Sequence, residues 1–249
     1  MLKKVAAFAV LTSFGALLLA SNNASAAITR AESYITIDSA TSDDYTLDFN
    51  AVTYNNVSSN TLYTEMGLYK GSKFIGLWDG TVRADGSYTE DHGSKTTWKV
   101  LTDHYEYKGS TSTVADFDQT DDTVTYKPAD WTFAAKEKLE ETLESKEAKK
   151  AEVEFENAVL QTTNVIALDT GIDLSEYTKI DKKQVFELDA DLFQEVNELT
   201  SMRTLQPGDS MPQIYLHGSG ESLYVLKQSS DGVSSATEFV LDNGKWKRE

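Results

Sequence analysis

The sequence predicts a mainly β protein with an α+β remainder: an N-terminal antiparallel β-sandwich or barrel, a connecting helix and a small C-terminal α+β domain. Three observations predict it. Tyr45, Leu47, Phe49 and Ala51 alternate with Thr46, Asp48 and Asn50, the period of a half-buried strand. Residues 134–151 are rich in Ala, Glu, Lys and Leu and hold no Gly or Pro, a helical composition. Beyond them, apolar spacing of both helical and strand type follows in turn.

The first 26 residues stand apart from this fold. Lys3 and Lys4 precede the uncharged, apolar-rich run Val5 to Ala20, and Ala24-Ser25-Ala26 supplies a small-x-small cleavage site before Ala27. This is the pattern of a secretory signal peptide, and sixteen residues are short for a membrane span of about 20. The expectation is a secreted protein, free or non-covalently surface-associated, because the chain shows no Leu-Pro-x-Thr-Gly sorting sequence. The chain contains no cysteine, which excludes disulfides, thiolate catalysis and zinc-thiolate sites and fits a bacterial export route.

Residues 27–128 form the expected sandwich. Besides the strand at Tyr45, the β-rich runs are Tyr34–Ile37, Leu62–Tyr69, Lys73–Trp78, Thr96–Leu101, His104–Tyr107 and Thr123–Tyr126. Lys70-Gly71, Asp79-Gly80, Asp85-Gly86 and Lys108-Gly109 are the expected turns. From Pro128 the character changes. Residues 129–151 are read as the connecting helix, with Leu139 and Leu143 on its thin apolar face. In residues 152–249, Val153, Phe155 and Val165–Leu168 read as strands. A helix follows from Asp191, with Leu192, Phe193, Val196 and Leu199 on one face and Asp191 with Gln194 as capping box. Gln213–His217, Ser222–Lys227 and Thr237–Leu241 close the chain as a meander turned by Gly218-Ser219-Gly220 and Asp231-Gly232.

Composition narrows the function. A formal charge of −17 leaves no basic face for phosphates and argues against a nucleic-acid partner. Loss of residues 1–26 removes two lysines and no acid, making the chain more acidic still. Tyr215 to Ser222 contains His217-Gly218-Ser219-Gly220, which resembles the oxyanion-hole turn of α/β-hydrolases. No Gly-x-Ser-x-Gly elbow accompanies it, and a hairpin turn accounts for its glycines. His92, His104 and His217 have no helical zinc spacing and read as surface residues.

Asp116, Asp118, Asp121 and Asp122 lie in one short stretch, read as an acidic loop. Oxygen-rich loops suit Ca2+, the one cofactor the sequence suggests, although the glycine and distal glutamate of an EF-hand are missing. Asp43-Asp44 is a second, weaker candidate. Trp78 and Trp246 are the tryptophans expected at the surface, where flat rings can stack on sugars. The expected function is non-enzymatic: an acidic extracellular binding protein for a polysaccharide or another protein. The alternative is a secreted hydrolase acting through two carboxylates, which would require them in one cleft with at least one desolvated.

Overall fold

A computed structural model describes residues 27–40, 43–91, 93–127 and 144–249. The expected signal peptide, His92, Pro128, Trp131, Leu139 and Leu143 lie outside the described residues. The fold is mainly β, and every paired strand is antiparallel.

The N-terminal half is a sandwich of two sheets. Strands β1 (Ile28–Ala40), β2 (Asp44–Asn55) and β5 (Arg83–Asp91) form an outer sheet in the order β1-β2-β5. Strands β3 (Thr61–Lys70), β4 (Lys73–Gly80), β6 (Thr96–Tyr107) and β7 (Val114–Tyr126) form the second, in the order β4-β3-β6-β7. Between them Leu47, Phe49, Met66, Leu68, Trp98 and Val100 make a closed apolar core. In β2 the buried positions are Tyr45, Leu47, Phe49, Ala51 and Thr53, so one face is dry and the alternation in the sequence is real.

The second sheet is covered on both faces. The third layer begins with helix α1 (Glu144–Thr170) and continues through β8 (Tyr177–Ile180), α2 (Lys182–Leu188) and α3 (Ala190–Thr200). Strands β9 (Gln213–His217), β10 (Ser222–Gln228), β11 (Ser234–Asp242) and β12 (Lys245–Arg248) complete it as a sheet ordered β12-β11-β10-β9-β8. Tyr105 and Phe117 of the central sheet share one core with Phe193, Val196, Ile214 and Phe239. Tyr69 and Phe74 share another with Phe155, Val159, Met202 and Leu205. The C-terminal residues therefore bury their apolar faces against the sandwich itself. This explains why β3 and β6 are buried at consecutive positions, with no period of two.

Several expected elements move. Val153, Phe155 and Val165–Leu168 lie on α1, which runs to Thr170 instead of ending near 151. Its buried residues are Ala151, Phe155, Val159, Thr163 and Ile166, a helical period that exposed Val153, Leu160, Val165 and Leu168 obscure in the sequence. The helix stops at Gly171, which has φ +72°. Ile172 N–H bonds back to Ala167 O at 2.9 Å and Gly171 N–H to Leu168 O at 3.3 Å, a Schellman closure. The expected cap at Asp191 is displaced by two residues: Asp189 caps α3, accepting from Leu192 N at 2.8 Å. The reciprocal capping box is Asp181 with Gln184, at the start of α2. Thr96–Leu101 and His104–Tyr107 are one strand, β6.

Of the expected glycine turns, Gly71 and Gly109 adopt positive φ, as a turn requires. Gly86 has another reason to be glycine. It sits within β5, opposite Phe49, and a Cβ there would lie 2.1 Å from Phe49 Cε2. Gly86→Ala is expected to cost about 1–3 kcal/mol as Phe49 is pushed off its rotamer. Urea denaturation reads this as a lower midpoint with unchanged slope; an unchanged midpoint would mean that the Phe49 ring does not lie over Gly86.

Candidate functional site: a cleft beside a buried ion pair

The outward faces of β3 and β6 carry charge where the third layer covers them. Glu65 and Asp103 are cross-strand neighbours, as are Tyr63 and Tyr105. Asp103 is fully buried and accepts from Lys182 Nζ at 2.5 Å, with the lysine side chain only 6% exposed. Gln119 Nε2 donates to the other Asp103 oxygen at 2.7 Å, and Tyr105 Oη lies 3.3 Å from the first. Asn197 of α3 accepts from Tyr105 Oη at 3.0 Å and from Lys182 Nζ at 3.3 Å. A pair this deep is supported by further hydrogen bonds to both carboxylate oxygens and to the ammonium.

On one side of this pair opens a cleft of about 370 Å³, lined by Tyr63, Glu65, Tyr105, Tyr107, Asn197, Ser201 and Arg203. The Tyr105 and Tyr107 rings are stacked at 13° with centroids 5.8 Å apart. Arg203 follows α3 in a short 3-10 turn and closes one edge. Its Nε lies 2.7 Å from Glu65 Oε1 and its Nη2 2.7 Å from Asp79 Oδ2. The same guanidinium lies 4.7 Å over the Tyr63 ring, whose hydroxyl bonds both Arg203 and Asp79. Burial, and next the cross-strand Asp103, push the Glu65 carboxyl up to about 7, against Lys182 and Ser201. Arg203 opposes the shift only from the solvent side, where it is half-exposed and screened. Burial lifts the Tyr107 phenol to about 12, so both hydroxyls of the stacked pair remain protonated donors at neutral pH.

On the sandwich side of β6 lies a chain of hydroxyls. Ser33 Oγ bonds Thr102 at 2.7 Å and Thr120 at 2.5 Å. Thr120 reaches His104 Nε2 at 2.7 Å, His104 Nδ1 reaches Thr53 at 2.6 Å, and Thr53 reaches Thr64 at 2.6 Å. His104 is thus a core residue and not the expected surface histidine. Burial lowers its pKa to about 4, so the ring is neutral and serves as one donor and one acceptor.

The acidic stretch is not a loop. Asp116, Asp118, Asp121 and Asp122 all lie within β7, and its alternation sends Asp121 to the opposite face from the other three. Asp116 accepts from Ile28 N at 2.7 Å and Asp122 from Ile35 N at 3.0 Å, so two carboxylates stitch the edge of β1 to β7. Asp118 pairs with Lys183 at 2.8 Å and Asp121 with Lys99 at 2.9 Å. Among the described residues no group of three or more His, Asp or Glu is placed to hold a metal ion. Millimolar Ca2+ is therefore expected to leave the melting temperature equal to that in chelator at matched ionic strength. Asp122→Ala should cost about 1–3 kcal/mol with or without Ca2+, because it leaves a backbone N–H unpaired. A rise specific to Ca2+ would contradict this arrangement.

Trp78 and Trp246 are both half-buried. Trp78 packs edge-on to Phe49 at 4.7 Å, and Trp246 packs against the core that contains Phe239. They belong to separate apolar clusters and are not brought together.

His217 does meet Ser219, Nδ1 to Oγ at 2.8 Å, and Glu176, Nε2 to Oε2 at 3.1 Å. The neighbouring amides are already engaged, Gly218 N with Glu176 O and Gly220 N with His217 O, so no oxyanion hole is left. The site is solvated, and the expectation of a hairpin turn holds.

Sequence reasoning missed Glu65, Asp103, Lys182, Asn197 and Arg203. A signal existed for the first two: each is an acid inside an otherwise buried strand run, Tyr63–Tyr69 and Val100–Tyr105. Among the described residues no helix is long and apolar enough to cross a membrane. Comparison of the chain with known protein families, with curated proteins and with solved structures returns no match in any of the three.

Proposed function

We propose that the protein is a secreted, non-enzymatic binding protein that takes an extracellular glycan in the Tyr63–Tyr107–Arg203 cleft. The observation that carries this reading is the half-buried Tyr63 and Tyr107 rings, backed by the buried Tyr105, beside Glu65, Asn197 and Arg203 in one open cleft. Aromatic faces suit the apolar faces of a sugar ring, and amide, carboxylate and guanidinium groups around them suit its hydroxyls. Secretion rests on Lys3, Lys4, the Val5–Ala20 run and Ala24-Ser25-Ala26. A neutral glycan is favoured over a polyanion, given the charge of −17.

The second reading, a carboxylate-dependent hydrolase, draws on Glu65, whose raised pKa suits a general acid. Its cross-strand partner is unsuited to the second role, because Asp103 is sealed beneath Lys182 and Gln119. Co-sedimentation of the chain from Ala27 onward with cellulose, chitin and peptidoglycan tests both. Retention on at least one is expected, weakened about tenfold or more by Tyr107→Ala and by Arg203→Ala, with no soluble sugar released. Release of reducing ends that Glu65→Gln abolishes would establish the hydrolase instead; absence of retention on all three would remove the glycan reading.

A further inference from the structure

A second cavity, of about 310 Å³, opens on the other side of the Asp103–Lys182 pair, among the central sheet, α1 and the β8–α2 corner. Each lysine of its lining is already paired. Lys99 lies 2.9 Å from both Asp121 and Glu152, Lys179 lies 2.8 Å from Glu156, and Lys182 holds Asp103. No cation is left over for an anionic ligand, and the lining carboxylate without a lysine, Asp181, is taken up in capping α2 through Gln184 N at 2.7 Å.

One polar group in the lining is unanswered. Gln213 opens β9 and is 3% exposed. Its Nε2 donates to Pro212 O at 2.9 Å and to Met211 O at 3.2 Å, which fixes the amide: the flipped form would set Oε1 against two carbonyl oxygens. Oε1 is left buried without a hydrogen-bond partner. Such groups are rare and costly, and each calls for a donor. A single water would satisfy the oxygen, but a water needs only about 10–15 Å³ of such space. The cavity is far larger, and Met202 and Met211 give it apolar wall.

We infer that this cavity is a second binding site, separate from the tyrosine cleft, for an uncharged small molecule that offers a hydroxyl or amide N–H to Gln213 Oε1 and an apolar face to the methionines. A polyol or single sugar unit has this chemistry; a phosphate or carboxylate does not.

Chemical-shift titration of the 15N-labelled chain from Ala27 onward tests the site, with glucose, N-acetylglucosamine and glycerol as probes and inorganic phosphate as control. Saturable shifts are expected at the Gln213 side-chain amide and the backbone of Ile180, Gln213 and Ile214 with at least one uncharged probe, and none with phosphate. Gln213→Leu should weaken that affinity about tenfold. Ile180→Trp, which leaves Gln213 intact and fills the cavity wall, should also weaken it, covering the case in which the leucine variant does not fold. Tyr107→Ala should leave these shifts unchanged, so failure of the glycan cleft and failure of this site are separable. Shifts with phosphate alone, or no saturable shift with any uncharged probe, would overturn the proposal and leave ordered water as the occupant.

Discussion

Lys182→Met is expected to destabilise the protein by about 3–5 kcal/mol, because it strands the Asp103 carboxylate in a dry interior. That is a large part of the roughly 5–15 kcal/mol that holds a typical domain together. Gln119 and Tyr105 still reach Asp103, but neither brings a positive charge. The double variant Asp103→Leu with Lys182→Met should recover most of the loss, since apolar replacement of a buried pair is close to neutral. Urea unfolding of the two singles and the double gives the coupling directly. A cost below about 1 kcal/mol for Lys182→Met would mean that water reaches the pair and that no dry wall separates cleft from cavity.

The second large effect is a pH dependence located at His104. Its folded pKa, about 4, lies below the 6.5 of the free side chain because burial penalises the charged ring. Between these values the unfolded chain binds a proton that the folded chain does not. The stabilisation is therefore complete above pH 6.5, falls with acidification and is fully lost by about pH 4, a swing of about 3 kcal/mol. Glu65 runs the other way. Its folded pKa of about 7 exceeds the 4.5 of the free side chain, so its contribution is complete below pH 4.5 and lost as pH rises through 7. Between pH 4.5 and 6.5 the two slopes oppose, and wild-type stability should be nearly flat as far as this pair is concerned. His104→Gln keeps a donor and an acceptor between Thr53 and Thr120 but removes the titration. The variant should be less stable than wild type at pH 7, with the gap closing by about 3 kcal/mol towards pH 4. A gap that stays constant with pH would mean that His104 is not buried neutral.

The legible parts of the fold were those with one wet face. In β2, Thr46, Asp48 and Asn50 mark the outside, and the strand could be read residue by residue. In β3 and β6 both faces are covered, so Thr64–Tyr69 and the centre of β6 carry no alternation, and β6 reads in the sequence as two separate runs. The sandwich was legible, but not the layer that covers its second face. That layer is built by α1, α2, α3 and five strands, of which β9, β10 and β11 match their expected positions, yet its docking depends on contacts remote in sequence, such as Phe117 with Phe193. The acids misled for a related reason. Asp116 to Asp122 look like a solvated turn because edge pairing through carboxylates, Asp122 to Ile35 N for instance, leaves no mark in the local pattern. The cleft was illegible as a unit: Tyr63, Tyr107, Asn197 and Arg203 converge from both halves of the chain, and no spacing rule connects them.

Chemical-shift mapping with a soluble oligosaccharide of whichever glycan retains the protein tests the central claim most directly. Saturable shifts are expected at Tyr63, Tyr105, Tyr107, Asn197 and the Arg203 guanidinium, lost together in Tyr107→Ala. Shifts centred on Trp78 or Trp246, with the tyrosine cleft unmoved, would contradict it.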